Sequence, residues 1–65
     1  MNDSKKKARQ ENILNAALEL FTQRGYFNTT VNDIQFASKM SVGSLYNYFE
    51  NKESIAVTLY SNIET

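Results

Sequence analysis

Hydrophobic positions in the first third of the chain recur at helical spacing. Between about residues 5 and 24 the apolar side chains repeat every three or four positions and form one stripe, which consists of Ile13, Leu14, Ala17, Leu18, Leu20 and Phe21. This spacing predicts a first helix over about residues 5–24. Asp3 or Ser4 can cap its start, because both side chains accept hydrogen bonds from the free amides of a first turn.

The periodicity breaks at Gly25. A glycine suits the left-handed position just past a helix end, and the aromatic pair that follows lies where a Schellman-type apolar contact would fall. Thr30 and Asp33 then have the spacing of a capping box, in which each side chain accepts a hydrogen bond from the other residue's backbone amide. A second helix is therefore expected over about residues 30–38.

Two further helices complete the pattern. The connection Lys39-Met40-Ser41 leads into a third helix over about residues 42–49, with Ser41 as its cap. Asn51 can cap a fourth helix over about residues 52–64, whose apolar stripe consists of Ile55, Leu59 and Ile63. Two short helices joined by about three residues form a helix-turn-helix, so the pattern predicts an all-α domain.

The third helix divides into a buried side and a small polar side. At about 100° per residue, Leu45 and Phe49 point the same way and are predicted to face the core. Tyr46 and Tyr48 fall one on each flank. The side opposite the core consists of Gly43, Ser44 and Asn47.

This arrangement matches what the major groove of DNA requires of a helix. The groove is about 12 Å wide and admits one helix, whose outermost side chains meet base edges while its flanks meet the backbones. Asn47 can pair with adenine, tyrosine hydroxyls can donate to phosphate oxygens, and Val42 at the helix start can touch a thymine methyl. The pattern therefore favours a helix that reads DNA.

Composition excludes several classes of function. With 42% hydrophobic and 22% charged residues, the 65-residue chain is typical of one folded globular domain. It has no cysteine and no histidine, which rules out disulfides, Cys/His zinc sites, thiol nucleophiles and histidine-based triads. Glu50 and Glu53 lie near a helix start, where acidic residues usually serve the helix dipole rather than catalysis. We expect no enzyme and no cofactor.

Membrane and export signals are also missing from the sequence. Its longest apolar stretches are far shorter than the roughly 20 residues that a spanning helix needs. The charged amino end is followed by no apolar signal segment. The sequence therefore predicts a cytoplasmic protein with no membrane partner.

Charge is distributed unevenly along the chain. The net charge is zero, which argues mildly against nucleic acid, since DNA-binding domains are usually basic. Four cations nevertheless crowd the amino end: Lys5, Lys6, Lys7 and Arg9. They form either an arm that lies along a DNA groove or a solvated tail.

Two runs of the sequence carry a family resemblance. ILNAALELFTQRGYFNTTVNDI, followed by SVGSLYNYFENKESI, resembles the amino-terminal DNA-binding domain of tetracycline-repressor (TetR) family regulators. The most specific part is the string L-Y-x-Y-F-x-N-K-E, with Phe-x-x-x-Gly-Tyr upstream. The resemblance covers about residues 13–55 and implies a homeodomain-like helical bundle with a helix-turn-helix.

The resemblance also implies a domain organisation. Residues 1–10 would form the basic arm and the start of helix one, and residues 11–50 the three-helix DNA-binding domain. Residues 51–65 would begin a fourth helix that leads toward a carboxy-terminal domain, which this sequence lacks. In such regulators that domain dimerises and takes a small-molecule effector, so the implied function is that of a ligand-responsive, homodimeric repressor on a palindromic double-stranded operator.

Site residues follow from the matching positions. In such regulators the third helix enters the major groove, which makes four residues base-proximal: Val42, Gly43, Ser44 and Asn47. The resemblance assigns phosphate contacts to Thr30, Tyr46, Tyr48 and Lys52. Three positions depart from the usual pattern, because Gln35 replaces a small residue, Lys39 a glycine in the turn, and Met40 a common valine.

Other interpretations of these residues stand beside this one. The alternative function is a small helical protein interaction module that binds a partner through its tyrosines or through the apolar stripe of the fourth helix, which neutral charge favours. Thr30 and Asp33 can be a cap alone, and Tyr46 and Tyr48 can cover the edge of the core. Binding of RNA is less favoured, because the aromatic residues alternate around a helix and form no sheet platform.

Overall fold

The computed structural model describes residues 2–64, with side chains described over residues 5–61. Within this range the chain forms four α-helices and one short 3-10 helix, with no strand. The α-helices are α1 (Asn2–Arg24), α2 (Val31–Ser38), α3 (Val42–Tyr48) and α4 (Lys52–Glu64), and the 3-10 helix spans Tyr26–Asn28. The predicted all-α architecture with a helix-turn-helix is confirmed.

Helix α1 begins earlier than its apolar stripe indicates. It starts at Asn2, so Asp3 and Ser4 lie inside the helix, and the prediction that either caps it is wrong. The cations at 5–9 are accordingly part of a helix. Lysine, alanine, arginine, glutamine and glutamate, which make up residues 5–11, are all good helix formers. The high helix propensity of these residues therefore accounts for the early start of α1, which hydrophobic periodicity does not indicate.

The connection after α1 differs from the expected Schellman motif. Gly25 has φ 91° and ψ 153°, a conformation that favours glycine but lies outside the left-handed helical region. The chain then enters the 3-10 helix, where Tyr26 packs edge-on against Phe21 with ring centroids 5.2 Å apart. Phe27 is 91% exposed. The buried Thr29 closes the connection by donating its hydroxyl hydrogen to the Gly25 carbonyl oxygen at 2.9 Å.

Helix α2 begins with the predicted capping box. The Thr30 hydroxyl accepts from the Asp33 amide at 3.1 Å, and the Asp33 carboxylate accepts from the Thr30 amide at 3.0 Å. Arg24 adds an ion pair to the same carboxylate at 3.2 Å. The hydrogen bonds from Thr30 hold the pKa of Asp33 below its ordinary value of 3.8. Burial opposes this effect, and the positive charge of Arg24 adds a lowering effect smaller than that of burial.

The core is thin and draws on every α-helix. Leu45 and Phe49 face inward as predicted, at 0% and 7% exposure. Leu18, which belongs to the predicted stripe of α1, is 40% exposed, and the side chain of Ile63 lies outside the described residues. The buried apolar cluster consists of Ile13, Leu14, Ala17, Ile34, Leu45, Phe49 and Ile55, with Leu20, Phe21 and Leu59 packed against it.

The turn between α2 and α3 is left-handed at a residue that is not glycine. Lys39 has φ 61° and ψ 27° and follows the last residue of α2. Its amide donates to the Phe36 carbonyl, and the Met40 amide donates to the Gln35 carbonyl, which are the two bonds of a Schellman motif. The departure from glycine at this position therefore leaves the usual turn geometry intact.

Candidate nucleic-acid interface

Helix α3 is oriented by a cap at its start and two anchors on its inner face. The Ser41 hydroxyl accepts from the Ser44 amide at 3.2 Å, which confirms the predicted cap. Leu45 and Phe49 are buried in the core. Because these two residues lie about one turn apart on the same side, the opposite side of α3 faces outward.

Three of the four base-proximal candidates lie well exposed on α3. Val42 is 44% exposed although its angle lies nearer the buried side, because it stands at the helix start. Gly43 and Asn47 are exposed, and Ser44 is half-buried. The Ser44 hydroxyl also accepts a hydrogen bond from the Ser41 hydroxyl at 2.9 Å, so it serves the cap as well as the surface. We call Val42, Gly43, Ser44 and Asn47 the reading strip.

The fold itself does not require a glycine at position 43. Positive φ angles among the described residues occur only at Gly25 and Lys39, so Gly43 has an ordinary helical backbone. A Cβ atom at Gly43 would meet no heavy atom within 4 Å. Glycine also weakens a helix interior by about 0.5–1 kcal/mol relative to alanine. The packing of the described residues therefore gives no reason for the missing side chain at this point.

Tyr46 and Tyr48 occupy opposite flanks of the reading strip in different environments. Tyr46 is 49% exposed, whereas Tyr48 is half-buried and packs against the core. Tyr48 therefore covers the edge of the core, as the alternative interpretation of the two tyrosines expects. Both residues border the reading strip.

Lys52 has a contact that the sequence did not predict. Its Nζ atom donates to the Tyr26 carbonyl oxygen at 2.7 Å and lies 4.0 Å from the centre of the Tyr26 ring. An ammonium group has three N–H donors, so two remain for an external anion. In the sequence this contact is indicated only by the family resemblance, which includes both the Gly-Tyr string at residues 25–26 and the Asn-Lys-Glu string at residues 51–53. Lys52 therefore joins the start of α4 to the 3-10 helix.

The starts of α2 and α4 are both capped as predicted. Thr30 is exposed, and its hydroxyl accepts a cap bond while its own hydrogen can still be donated outward. The Asn51 side-chain oxygen accepts from the Ser54 amide at 2.8 Å. Thr30 is thus certainly a cap, and a phosphate contact would be an additional role.

The amino-terminal cations project from the first turns of α1. All four, Lys5, Lys6, Lys7 and Arg9, are exposed. Lys7 lines a groove together with Tyr48 and Phe49 from the end of α3, and Glu11 and Glu50 line it as well. The basic end of α1 therefore lies beside the carboxyl end of α3, in surroundings of mixed charge.

The described residues include neither a bilayer-spanning helix nor a cluster of metal-binding side chains. No α-helix in this part of the chain is long and apolar enough to cross a bilayer. Within the same residues, no group of three or more His, Cys, Asp or Glu side chains is arranged to hold a metal ion.

Comparison with known proteins identifies the family. The sequence profile described as "Bacterial regulatory proteins, tetR family" matches residues 13–59. The chain belongs to the TetR family. The match runs from the first buried residue of α1 into α4, so it includes the whole helix-turn-helix and the reading strip but not the basic start of α1.

Relatives of this TetR-family chain are transcriptional regulators rather than enzymes. It is 44% identical over 52 residues to the HTH-type transcriptional repressor KstR2 of Rhodococcus jostii (strain RHA1), covering 80% of this chain and 26% of that protein. It is 36% identical over 55 residues to the HTH-type transcriptional regulator HbdR of Aromatoleum sp. (strain CIB), covering 85% and 24%. The chain thus spans about a quarter of the length of these curated relatives.

A third relative is named as a negative regulator. The biofilm operon icaADBC HTH-type negative transcriptional regulator IcaR of Staphylococcus epidermidis (strain ATCC 35984) is 37% identical over 46 residues, which cover 71% of this chain and 25% of that protein. Members of the TetR family bind DNA through the helix-turn-helix. The outward strip on α3 lies within the residues that match the family.

Proposed function

We propose that this chain is the sequence-specific DNA-binding domain of a TetR-family transcriptional repressor, and that α3 reads base edges in the major groove. One observation carries the proposal. Gly43 lies in the middle of an exposed strip and has no neighbour that its small size would serve. A helix that must approach a duplex closely accounts for this choice, because any side chain there would hold the helix away from the base edges.

The reading strip supplies direct contacts to bases. The side-chain amide of Asn47 can pair with both groups that adenine presents in the major groove, and Val42 can cover a thymine methyl. Ser44 can donate to or accept from either type of base. Each good bidentate contact is worth about 1–3 kcal/mol of discrimination, so Asn47 is expected to contribute most of the preference.

Phosphate contacts hold the helix in register on the duplex. Tyr46 and Tyr48 border the strip, while Thr30 and Lys52 stand at the starts of α2 and α4, where helix dipoles favour an anion. The basic start of α1, on the Tyr48 side, adds the arm of Lys5, Lys6, Lys7 and Arg9. Because the net charge is zero, sequence-independent affinity is expected to be modest.

The wider organisation of the regulator belongs to the same proposal. Residues 1–10 form the basic extension, residues 11–50 the DNA-binding domain, and residues 51–65 the start of a helix that continues into a carboxy-terminal domain. That domain would dimerise the protein, so that two copies read a palindromic operator, and would take a small-molecule effector. The greater length of the relatives supports this, and a regulator of this kind works in the cytoplasm, where its operator lies.

A selection from random duplex oligonucleotides tests the proposal. The 65-residue chain is expected to enrich one consensus half-site, and Asn47→Ala is expected to relax the preference at one or two base pairs of it. Asn32→Ala is the matched control, because Asn32 is an exposed asparagine on α2 outside the reading strip. Failure to enrich any sequence, or equal effects of the two variants, would contradict the proposal.

A protein interaction module remains the second candidate, because α4 exposes apolar side chains. Val57 is 64% exposed and Tyr60 is 67% exposed, and they lie three residues apart on one side of the helix. Salt dependence separates the two functions. Each phosphate contact of a duplex binder makes the slope of log K against log salt more negative by about 0.9, whereas an apolar protein contact leaves that slope near zero.

A further inference from the structure

The turn that leads into α3 adopts an unfavourable backbone conformation. Lys39 is the one non-glycine residue with positive φ among those that the structure describes. A side chain at that conformation costs free energy that glycine would not cost. The turn consists of Lys39 and Met40 alone, since α2 ends at Ser38 and Ser41 already caps α3. The direction of α3 therefore depends on how these two residues are held.

The side chain of Gln35 spans this turn. Its Nε2 atom donates to the Met40 carbonyl oxygen at 2.6 Å. The Gln35 carbonyl oxygen also accepts from the Met40 amide at 3.3 Å. Gln35 therefore binds both polar groups of Met40, one with its side chain and one with its backbone, which fixes the orientation of the peptide units on each side of Met40.

The fixed peptide lies immediately before the reading helix. The Met40 carbonyl belongs to the peptide bond that leads to Ser41, and the Ser41 carbonyl accepts the first bond of α3 from Leu45 at 3.0 Å. Met40 itself is half-buried and packs against the core. A reorientation of this peptide unit would tilt α3 about its start and move the reading strip, and the hydrogen bond from Gln35 opposes that reorientation.

We propose that Gln35 is a positioning residue for α3: its side-chain amide keeps the strained turn in place and so sets the angle at which the reading strip meets a duplex. The consequence for DNA rests on the function proposed above, whereas the helix angle does not. Without the amide, the turn at Lys39 relaxes away from the left-handed region. With glycine at position 39 the turn is not strained, so the side-chain amide of Gln35 is no longer needed to hold it.

The test uses Gln35→Met, which keeps the length of the side chain but cannot donate a hydrogen bond. Affinities are measured for the selected duplex and for a duplex altered at the base pair that Asn47 reads. The affinity for the selected duplex divided by that for the altered duplex is expected to fall about threefold to tenfold, the range for one lost hydrogen bond. Residual dipolar couplings of the free chain are expected to report a changed angle between α2 and α3.

Rescue distinguishes positioning from simple loss of stability. The double variant Gln35→Met, Lys39→Gly is expected to regain both the wild-type angle and the wild-type ratio. Thr29→Val is the matched control, because it removes the 2.9 Å bond from the buried Thr29 hydroxyl to the Gly25 carbonyl, in the connection before α2 and away from the turn. It should lower the melting temperature and leave the ratio unchanged.

Each result decides the inference. A wild-type angle and ratio in Gln35→Met would overturn it, and so would a loss that Lys39→Gly does not restore. If Gln35→Met does not fold, Gln35→Glu is measured in its place, since an ionised carboxylate likewise has no hydrogen to donate. If the wild-type chain selects no DNA sequence, the proposed function fails, and the dipolar couplings alone still decide whether Gln35 sets the helix angle.

Discussion

At the scale of single residues, the account depends on small or polar side chains that the fold does not need. Gly43 has free space where its side chain would be, and Asn47 is exposed opposite the buried Leu45. Neither residue stabilises the domain in an evident way. The proposed approach of a DNA duplex to α3 accounts for both residues.

Substitution of Gly43 should separate stability from binding. Gly43→Leu is expected to raise the free energy of unfolding by about 0.5–1 kcal/mol, because leucine is a far better helix former and its Cβ atom would meet no heavy atom within 4 Å. The same change should lower affinity for the selected duplex by about tenfold or more, equivalent to one lost base contact of the kind described for the groove. Chemical denaturation and duplex titration measure the two effects, and a parallel loss of stability would contradict the assignment.

The left-handed residue in the turn gives a second prediction at this scale. Lys39→Gly is expected to raise the free energy of unfolding by about 1 kcal/mol, since glycine adopts φ 61° without a clash of its Cβ atom. Urea denaturation checks this result against Lys5→Gly, which places glycine inside α1 and should destabilise. A lower stability of Lys39→Gly would show that the turn is not strained.

At the scale of helices, local caps set most boundaries. Thr30, Ser41 and Asn51 each accept a bond from an amide of the first turn that follows, which is why three helix starts were predictable from neighbouring residues alone. The start of α1 was not, because its first turns have no apolar stripe to mark them. The 3-10 helix and the bond from Lys52 to Tyr26 depend on contacts between distant segments, which spacing does not show.

The capping box predicts how stability changes with pH. The pKa of Asp33 is lowered in the folded chain, so its contribution is present above the ordinary value of 3.8 and disappears as the pH falls through the lower folded value. The melting temperature should therefore drop as the pH is lowered below about 4. Asp33→Asn should be less stable at neutral pH and show a shallower drop, because it lacks the carboxylate that accepts from the Thr30 amide. A drop as steep as that of the wild type would contradict this role of Asp33.

At the scale of the whole molecule, a neutral domain must gain its affinity from the placement of charges. The net charge is zero, yet Lys7 lies beside the end of α3 and Lys52 stands at the start of α4. The outward face of α3 was predictable from helical angles. The engagement of Lys52 with Tyr26 was not, because it joins two segments that are distant in the sequence.

Lys52 can be tested through the ionic strength dependence of binding. Lys52→Met is expected to make the slope of log K against log salt less negative by about 0.9, the value for one phosphate contact. Lys52→Arg keeps the charge and should keep the slope. If the Met variant has the wild-type slope, Lys52 serves only the contact with Tyr26.

The most direct measurement is an NMR titration of the 65-residue chain with its selected duplex. The account predicts that the amide signals of residues 42–47 shift most, with smaller shifts at the starts of α2 and α4. A duplex of scrambled sequence should leave residues 42–47 nearly unshifted. If the largest shifts instead fall on the outer side of α4 around Val57 and Tyr60, and α3 is unaffected, the assignment of α3 as the reading helix is wrong.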